Sequence, residues 1–312
     1  MDKKNYKKKR YLVIGEHSAV KLCEWTRKSI KKQGECYKEK FYNIKSHKCL
    51  QMTPAVAWCE HYCLFCWRPT EFTENNSMKN QILDEPKKIV EQAIIAQKKL
   101  LIGFKGNDNI SKEKLNEAFN PNQAAISLAG EPTLYPKLSE LIKEFHNKKF
   151  TTFLVTNGMN PKALKNLKEL PTQLYITLVA SNPDDYLKLT KSVYGKKGFE
   201  RLLESIKLTN ELKTRKVIRL TLVKNYNMKN AEEYAKIIKT GKIGFIEAKA
   251  YMHVGSSTKR LSKENMPSFE EIKLFSKELA KELNWKIIDE HEKSRVCLIA
   301  KENYSWRKIN NN

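Results

Sequence analysis

The chain has 312 residues, 40% of them hydrophobic, enough for one large α/β domain or two modest ones around a buried core. It contains no run of 18 apolar residues, which excludes a transmembrane helix, and its basic N-terminus lacks the apolar stretch of a secretory signal. The net charge is +24, and without the six bases and one acid of the first ten positions the remainder still carries +19, an excess that predicts a polyanionic partner, nucleic acid first.

Residues 1–10, MDKKNYKKKR, read as a flexible basic arm. Residues 11–50 form a separate N-terminal segment with little periodicity, in which Cys23, Cys36 and Cys49 recur as C-x12-C-x12-C. Three buried apolar cysteines would be one reading of that triple; ligands of one shared metal centre, a cluster with one position left open, are the other. From residue 51 to 312 apolar runs alternate with helical patterns. LQMTPAV (50–56) looks like a first strand, although Pro54 would demote a central one. Residues 84–101 place Ile89, Val90, Ala93, Ile94, Gln97, Leu100 and Leu101 on one helical face, with Asp84 and Pro86 as start signals. Strands are then predicted at AAISLAG (124–130), TTFLVTNG (151–158), QLYITLVA (173–180), KVIRLTLV (216–223) and GFIEAKAYM (244–252). Helices are predicted between them, near 136–147, from Pro161, through Phe199–Ile206 and near 230–240. A last helix runs through Phe269 to Leu283, and WKIIDEH and RVCLIAK close the chain as a hairpin. Such alternation predicts βα units and a mainly parallel sheet. About six units suit an open, partial barrel, (β/α)6, rather than a closed eightfold one.

The stretch CEHYCLFCWR (59–68) carries the chemistry. Cys59, Cys63 and Cys66 make C-x3-C-x2-C, three thiolates within eight residues and no fourth. A closed zinc site wants four ligands, whereas thiolates on a short loop suit an iron–sulfur cluster. Three ligands on a four-iron cluster leave one iron open. The motif resembles that of the radical S-adenosylmethionine superfamily, whose members chelate the methionine part of the cofactor on that iron. The resemblance implies the superfamily's partial barrel, here with an N-terminal cluster-binding extension, in agreement with the strand pattern.

Ligands of parallel α/β folds gather at the carboxyl ends of strands. AGEPT (129–133) resembles the superfamily's Gly-Gly-Glu-Pro motif, with Ala129 in place of its first glycine. The resemblance assigns Gly130, Glu131 and Pro132 to the amino group of the cofactor, and Thr156 and Asn157 of TNG (156–158) to its ribose. Trp67 and Arg68 follow the cluster loop and suit either substrate stacking or packing; His61 reads as a shaping residue, and Cys297 as core.

Together with EAKAYMHVGSS (247–257), these segments resemble the tRNA 4-demethylwyosine synthases, in the archaeal form of the wybutosine-pathway enzyme that lacks a fused flavodoxin domain. The resemblance covers nearly the whole chain beyond the basic arm. It implies two [4Fe-4S] clusters, one on Cys59, Cys63 and Cys66 and an auxiliary one on Cys23, Cys36 and Cys49, with S-adenosyl-L-methionine as cofactor. The implied reaction, of the carbon–carbon lyase class, joins pyruvate carbons to 1-methylguanosine beside the anticodon of tRNA(Phe) and forms 4-demethylwyosine. It needs an external electron donor. Lys38 matches the lysine proposed to form a Schiff base with pyruvate. Chelation of pyruvate by the open auxiliary iron, with Lys38 pairing its carboxylate, is the competing arrangement. The rival class is a radical enzyme acting on a peptide or protein, a glycyl-radical activase or a maturase. Auxiliary cysteines placed before the barrel, and the charge, favour tRNA. Seven cysteines, an odd and clustered number, predict a reducing, cytoplasmic setting.

Overall fold

A computed structural model describes residues 3–74, 78 and 81–310. Ten strands form one sheet in the order β1-β2-β3-β4-β5-β6-β7-β8-β10-β9. β1 (Leu12–Ile14) and β2 (Ser18–Val20) make a hairpin whose second strand pairs antiparallel with β3 (Cys49–Thr53). Then come six strands that are mutually parallel and in chain order: β3, β4 (Gln123–Ile126), β5 (Thr151–Thr156), β6 (Gln173–Thr177), β7 (Arg215–Leu222) and β8 (Phe245–Ala250). The terminal hairpin of β9 (Lys286–His291) and β10 (Val296–Ala300) adds antiparallel to β8. The sheet is thus the expected open (β/α)6 barrel, extended by a hairpin at either edge. β3 stops at Thr53, one residue before Pro54, so the proline never has to join a central ladder.

The helices are α1 (Lys3–Lys8), α2 (Glu24–Ile30), α3 (Tyr37–Tyr42), α4 (Pro86–Leu101), α5 (Lys112–Ala118) and α6 (Leu138–Asn147). They continue with α7 (Pro161–Lys165), α8 (Pro183–Thr190), α9 (Lys197–Leu208), α10 (Ala231–Ile238) and α11 (Phe269–Leu283). Local chemistry sets their ends. Pro86 occupies the first turn of α4, where its missing N–H costs nothing. Ser268 and Glu271 form a reciprocal capping box on α11, and Asn284 closes it in the left-handed conformation at φ 55°. Among the described residues no helix is long and apolar enough to cross a membrane.

Side chains alternate across the sheet, so each strand feeds two cores. Leu154, Ile176, Ile218 and Ile246 face the outer helices, against Ile89 and Val90 of α4, Leu141 and Phe145 of α6, and Leu202 of α9. Phe153, Tyr175, Val217 and Phe245 face inward and are covered by Tyr37, Phe41 and Tyr42 of α3. α3 therefore plugs the barrel from within. Phe41 is fully buried, and truncating it to Ala should cost about 4 kcal/mol.

Two features differ from the sequence expectation. The basic N-terminus, over its described residues, is not a loose arm: α1 docks through Tyr6, which is 1% exposed and donates its hydroxyl to the Val56 carbonyl at 3.1 Å. One buried aromatic outweighs the repulsion of the surrounding lysines. The expected boundary at residue 50 falls inside β3, so the N-terminal segment and the barrel share a strand and a sheet.

Candidate active site

The thiol loop leaves β3 and is held from four directions. Val56 N–H bonds the His17 carbonyl at 3.0 Å, and Cys59 N–H bonds the Glu74 carbonyl at 3.2 Å. Tyr62 and Leu64 N–H bond the carbonyls of Thr190 and Leu189 at the end of α8, at 2.8 and 2.9 Å. Arg260 donates to the carbonyls of Leu64 and Cys66 and to the Thr70 hydroxyl. His61 is buried, with Nε2 2.8 Å from the Tyr186 hydroxyl, and burial pulls its pKa down to about 3. A neutral ring tied to Tyr186 shapes the loop. Trp67 packs against the outer core, with Lys21 and Arg68 over its ring.

Cys59, Cys63 and Cys66 are unpaired and keep part of their surface open. Burial raises the Cys59 thiol well above its ordinary value, and Cys63, Glu60 and Glu131 push it further; Cys63 is raised by burial and then by Cys66. Three thiols in one another's field resist becoming thiolates unless positive charge is supplied. That donor set fits an iron–sulfur cluster, whose irons supply it. Among the described residues no three His, Cys, Asp or Glu side chains converge closely enough to hold a single ion.

Glu131 lies behind this loop, 2% exposed. Its N–H bonds the Trp58 carbonyl at 2.7 Å. One carboxylate oxygen accepts from the hydroxyls of Thr133 and Thr156, both at 2.7 Å, and the other from Asn157 N–H at 2.8 Å. Burial first, then the Glu60 carboxylate, push its pKa up to about 7 despite these donors. A cation such as an amino group would return it to the anion. Gly130 has φ +65°, a conformation that suits glycine, and Pro132 begins the turn that follows. Thr156 and Asn157, assigned by resemblance to a ribose, also hold this carboxylate, and the Asn157 amide reaches Cys59 Sγ at 3.9 Å and Glu60 at 3.3 Å. Glu60 itself, 2% exposed and held by Asn160 at 2.6 Å, was not singled out by sequence. Its one signal was a carboxylate directly after Cys59 in an otherwise neutral loop.

The second triple lies at the opposite end of β3. Cys49 is the first residue of that strand, and Cys23 and Cys36 are the N-caps of α2 and α3. Five residues of strand separate the two ends, roughly 17 Å. Burial pushes the Cys36 thiol up to about 12, with Cys23 adding to it; Cys49 is raised by burial, then by Cys23 and Cys36. Lys38 opposes the rise at all three, and backbone N–H groups of Trp25 and Thr26 point at Cys23. This donor set has the same chemistry as the first.

Lys38, on α3, extends its Nζ into the barrel between the two triples, 4.8 Å from the ring centre of Phe153 and 4.7 Å from that of Tyr175. Phe153 stands level with Gln51, the middle of β3, through the register Gln51–Ala125–Phe153. Burial lowers the Lys38 pKa, and Arg219 lowers it further, against Glu247, Cys36 and Cys49. Lys40, two residues further along α3, points outward to Asp289 at 3.0 Å. The cation in its place is Arg219 of β7, whose Nε and Nη2 bind the fully buried Glu247 at 3.1 and 2.9 Å. Tyr37 and Tyr42 donate to the same carboxylate at 2.9 and 3.0 Å. Lys249, beside them on β8, is drawn down to about 8 by burial and then by Arg219.

Residues 54–238 match the family model of the radical SAM superfamily, and residues 240–301 that of wyosine base formation. The S-adenosyl-L-methionine-dependent tRNA 4-demethylwyosine synthase of Pyrococcus horikoshii is 48% identical over 301 residues, covering 95% of this chain and 87% of that protein. The protein of the same description from Methanocaldococcus jannaschii is 42% identical over 309 residues, covering 97% and 96%. A solved structure of TYW1 with a lysine–pyruvate adduct bound superposes with a TM-score of 0.87 at 40% identity, over 100% of this chain and 99% of that one.

Proposed function

The chain belongs to the tRNA 4-demethylwyosine synthase family of radical S-adenosylmethionine enzymes, which modify tRNA, and from that premise we propose that it condenses pyruvate with 1-methylguanosine next to the anticodon of tRNA(Phe). The product is 4-demethylwyosine, by a reaction of the carbon–carbon lyase class. The observation that carries this reading is a buried amine, that of Lys38, inside the barrel between two open-sided thiol triples. A peptide-modifying role has no comparable use for a lysine there.

In this reading Cys59, Cys63 and Cys66 hold the cluster that binds S-adenosyl-L-methionine, and Cys23, Cys36 and Cys49 hold an auxiliary [4Fe-4S] cluster. Cluster and cofactor together supply a radical able to remove hydrogen from the methyl group of the base, using an electron from an external donor. Glu131, anchored by Thr133, Thr156 and Asn157, receives the amino group of the cofactor, and the Gly130–Pro132 turn brings it close. Thr156 and Asn157 keep the second role of facing the ribose edge. Lys38 captures pyruvate: its neutral amine attacks the keto carbon, and the keto oxygen leaves as water with the two amine hydrogens. The related TYW1, solved with a lysine–pyruvate adduct bound, supports that role. The wide excess of positive charge supports tRNA as the polyanion, and unpaired cysteines support a cytoplasmic setting.

The direct test is the mass of the anticodon fragment after 1-methylguanosine-containing tRNA(Phe) is incubated with reduced protein, S-adenosyl-L-methionine and pyruvate. Conversion to the tricyclic base is expected. An unchanged fragment with active cofactor cleavage would remove this substrate assignment.

A further inference from the structure

Lys38 is not the only cation over Tyr175. The guanidinium carbon of Arg219 lies 4.6 Å from the centre of the same ring, against 4.7 Å for Lys38 Nζ. The strand register explains why: Arg219 sits opposite Thr177 of β6 and Glu247 of β8, one inward-facing layer beyond Tyr175. One edge of its guanidinium is committed. Nε and Nη2 bind Glu247, and Nη2 also donates to the Tyr37 hydroxyl at 2.9 Å. Nη1, with two hydrogens, has no partner among the described residues, while the side chain keeps 17% of its surface open. Lys249, the other cation nearby, is tied to the Ser294 carbonyl at 2.9 Å.

Charge makes the same point. Besides the amine of Lys38, two basic groups, Arg219 and Lys249, surround one buried carboxylate, Glu247, which Tyr37 and Tyr42 already satisfy with hydrogen bonds. The excess is one that a small anion would balance. A guanidinium fixed through Nε and Nη2 and open at Nη1 is preorganised for a carboxylate oxygen.

We propose that Arg219 binds the carboxylate of the 2-oxo acid that condenses at Lys38, and so selects a 2-oxo acid over a simple ketone or aldehyde. The inference rests on the reading of Lys38 given above. Glu247 is then a positioning residue, fixing the guanidinium edge-on while the phenols of Tyr37 and Tyr42 hold Glu247. The keto carbon lies next to the carboxylate in such an acid, so anchoring one presents the other to the amine.

Two probes test it on the cluster-loaded protein. The first is reductive trapping with borohydride, read as the mass of the peptide containing Lys38, over a range of pyruvate or acetone concentrations. The second is equilibrium binding of oxamate, which carries the same carboxylate but forms no imine. Arg219→Lys keeps the charge beside Glu247, and the pair Arg219→Gln with Glu247→Gln removes both members of the ion pair together, so at least one is expected to fold. The expected result is about a tenfold or greater rise in the pyruvate concentration needed for trapping and a similar loss of oxamate affinity, with acetone trapping unchanged. Equal loss of pyruvate and acetone trapping, or oxamate binding indifferent to both variants, overturns the carboxylate role. A wild-type protein that binds oxamate through Arg219 yet traps no adduct removes only the imine at Lys38.

Discussion

Gly130 and Ala55 stand so close that a Cβ on Gly130 would fall 1.7 Å from the Ala55 carbonyl oxygen, and 2.6 Å from that of Trp58. The contact locks the turn after β4 onto the start of the thiol loop after β3. Backbone atoms cannot swing aside as a side-chain tip would. Gly130→Ala is therefore expected to push the two loops apart and displace Glu131, and at φ +65° it adds strain of about 1–2 kcal/mol. We expect at least a tenfold loss of S-adenosyl-L-methionine affinity, measured by equilibrium binding. Unchanged affinity would mean that this turn does not shape the cofactor site.

Tyr6 makes the N-terminus part of the same assembly. Its hydroxyl reaches the carbonyls of Val56 and Phe72, on either side of the thiol loop, and its ring packs edge-on against Tyr11 and Phe72. Tyr6→Ala should cost about 3 kcal/mol, and Tyr6→Phe about 1 kcal/mol. Deleting residues 1–10 should then lower the melting temperature as well as weaken tRNA binding. A truncated protein that melts like the full chain would make α1 dispensable to the fold.

His17 gives stability a pH dependence. Asp84 N–H donates to its Nε2 at 2.9 Å, and its Nδ1 lies 2.6 Å from the Pro54 carbonyl, an arrangement that needs the neutral ring. Burial lowers its pKa, against the Pro54 carbonyl and the carboxylates of Asp84 and Glu16. A histidine whose folded pKa is depressed takes up its proton more readily when unfolded. Stability is thus fully present above the unfolded value of about 6.5 and is lost as pH falls from there toward the folded one. Melting temperature followed from pH 7.5 down to 5 should fall, and His17→Gln should flatten that part of the curve. A wild-type curve already flat there would rule His17 out as its source.

Much of this was legible because periodicity and spacing are local. Six parallel strands, the long helices α4 and α11, and both cysteine triples follow from runs of residues that carry their own pattern. The strands of β1 and β2 are three residues each, and α2 and α3 seven and six, too short for a period to register. What surrounds Lys38 was illegible for a different reason. Arg219 comes from a strand far along the chain, and only the register of β7 with β6 and β8 turns it toward Tyr175 and Glu247. Lys40, near in sequence, is on the outer face of α3, where a spacing of two residues, about half a helical turn, carries it away from Lys38. Thr156 and Asn157 were found because they end a strand. Their bonds to Glu131 depend on β4 and β5 being neighbours.

Cluster content separates the two triples. Anaerobically reconstituted protein is expected to hold close to eight irons, and the Cys59/Cys63/Cys66 or the Cys23/Cys36/Cys49 triple Ala variant about four, since each open-sided site takes one four-iron cluster. Iron per chain, with the absorbance of the cluster, is the measurement. Saturation of the wild type at four irons would leave the N-terminal cysteines as structural thiols.

Lys38 carries the remaining prediction. An exposed lysine, with a pKa near 10.4, is almost entirely protonated at neutral pH and makes a poor nucleophile. Three cysteine thiolates beside it would favour that form, and Cys36, Cys49 and Glu247 act in that direction; burial against Phe153 and Tyr175 and the charge of Arg219 act the other way. Burial is the largest of these influences and draws the Lys38 pKa down. Borohydride with labelled pyruvate is expected to leave a stable adduct on the peptide containing Lys38, and none in Lys38→Ala or Lys38→Arg. Both variants should keep their iron and still cleave S-adenosyl-L-methionine, yet form less than about one hundredth of the product, the order of loss when a covalent nucleophile is removed. No adduct in the wild type, together with an inactive Lys38→Ala, would point instead to pyruvate held at the auxiliary cluster, with Lys38 pairing its carboxylate. Full activity of Lys38→Ala would take this residue out of the reaction.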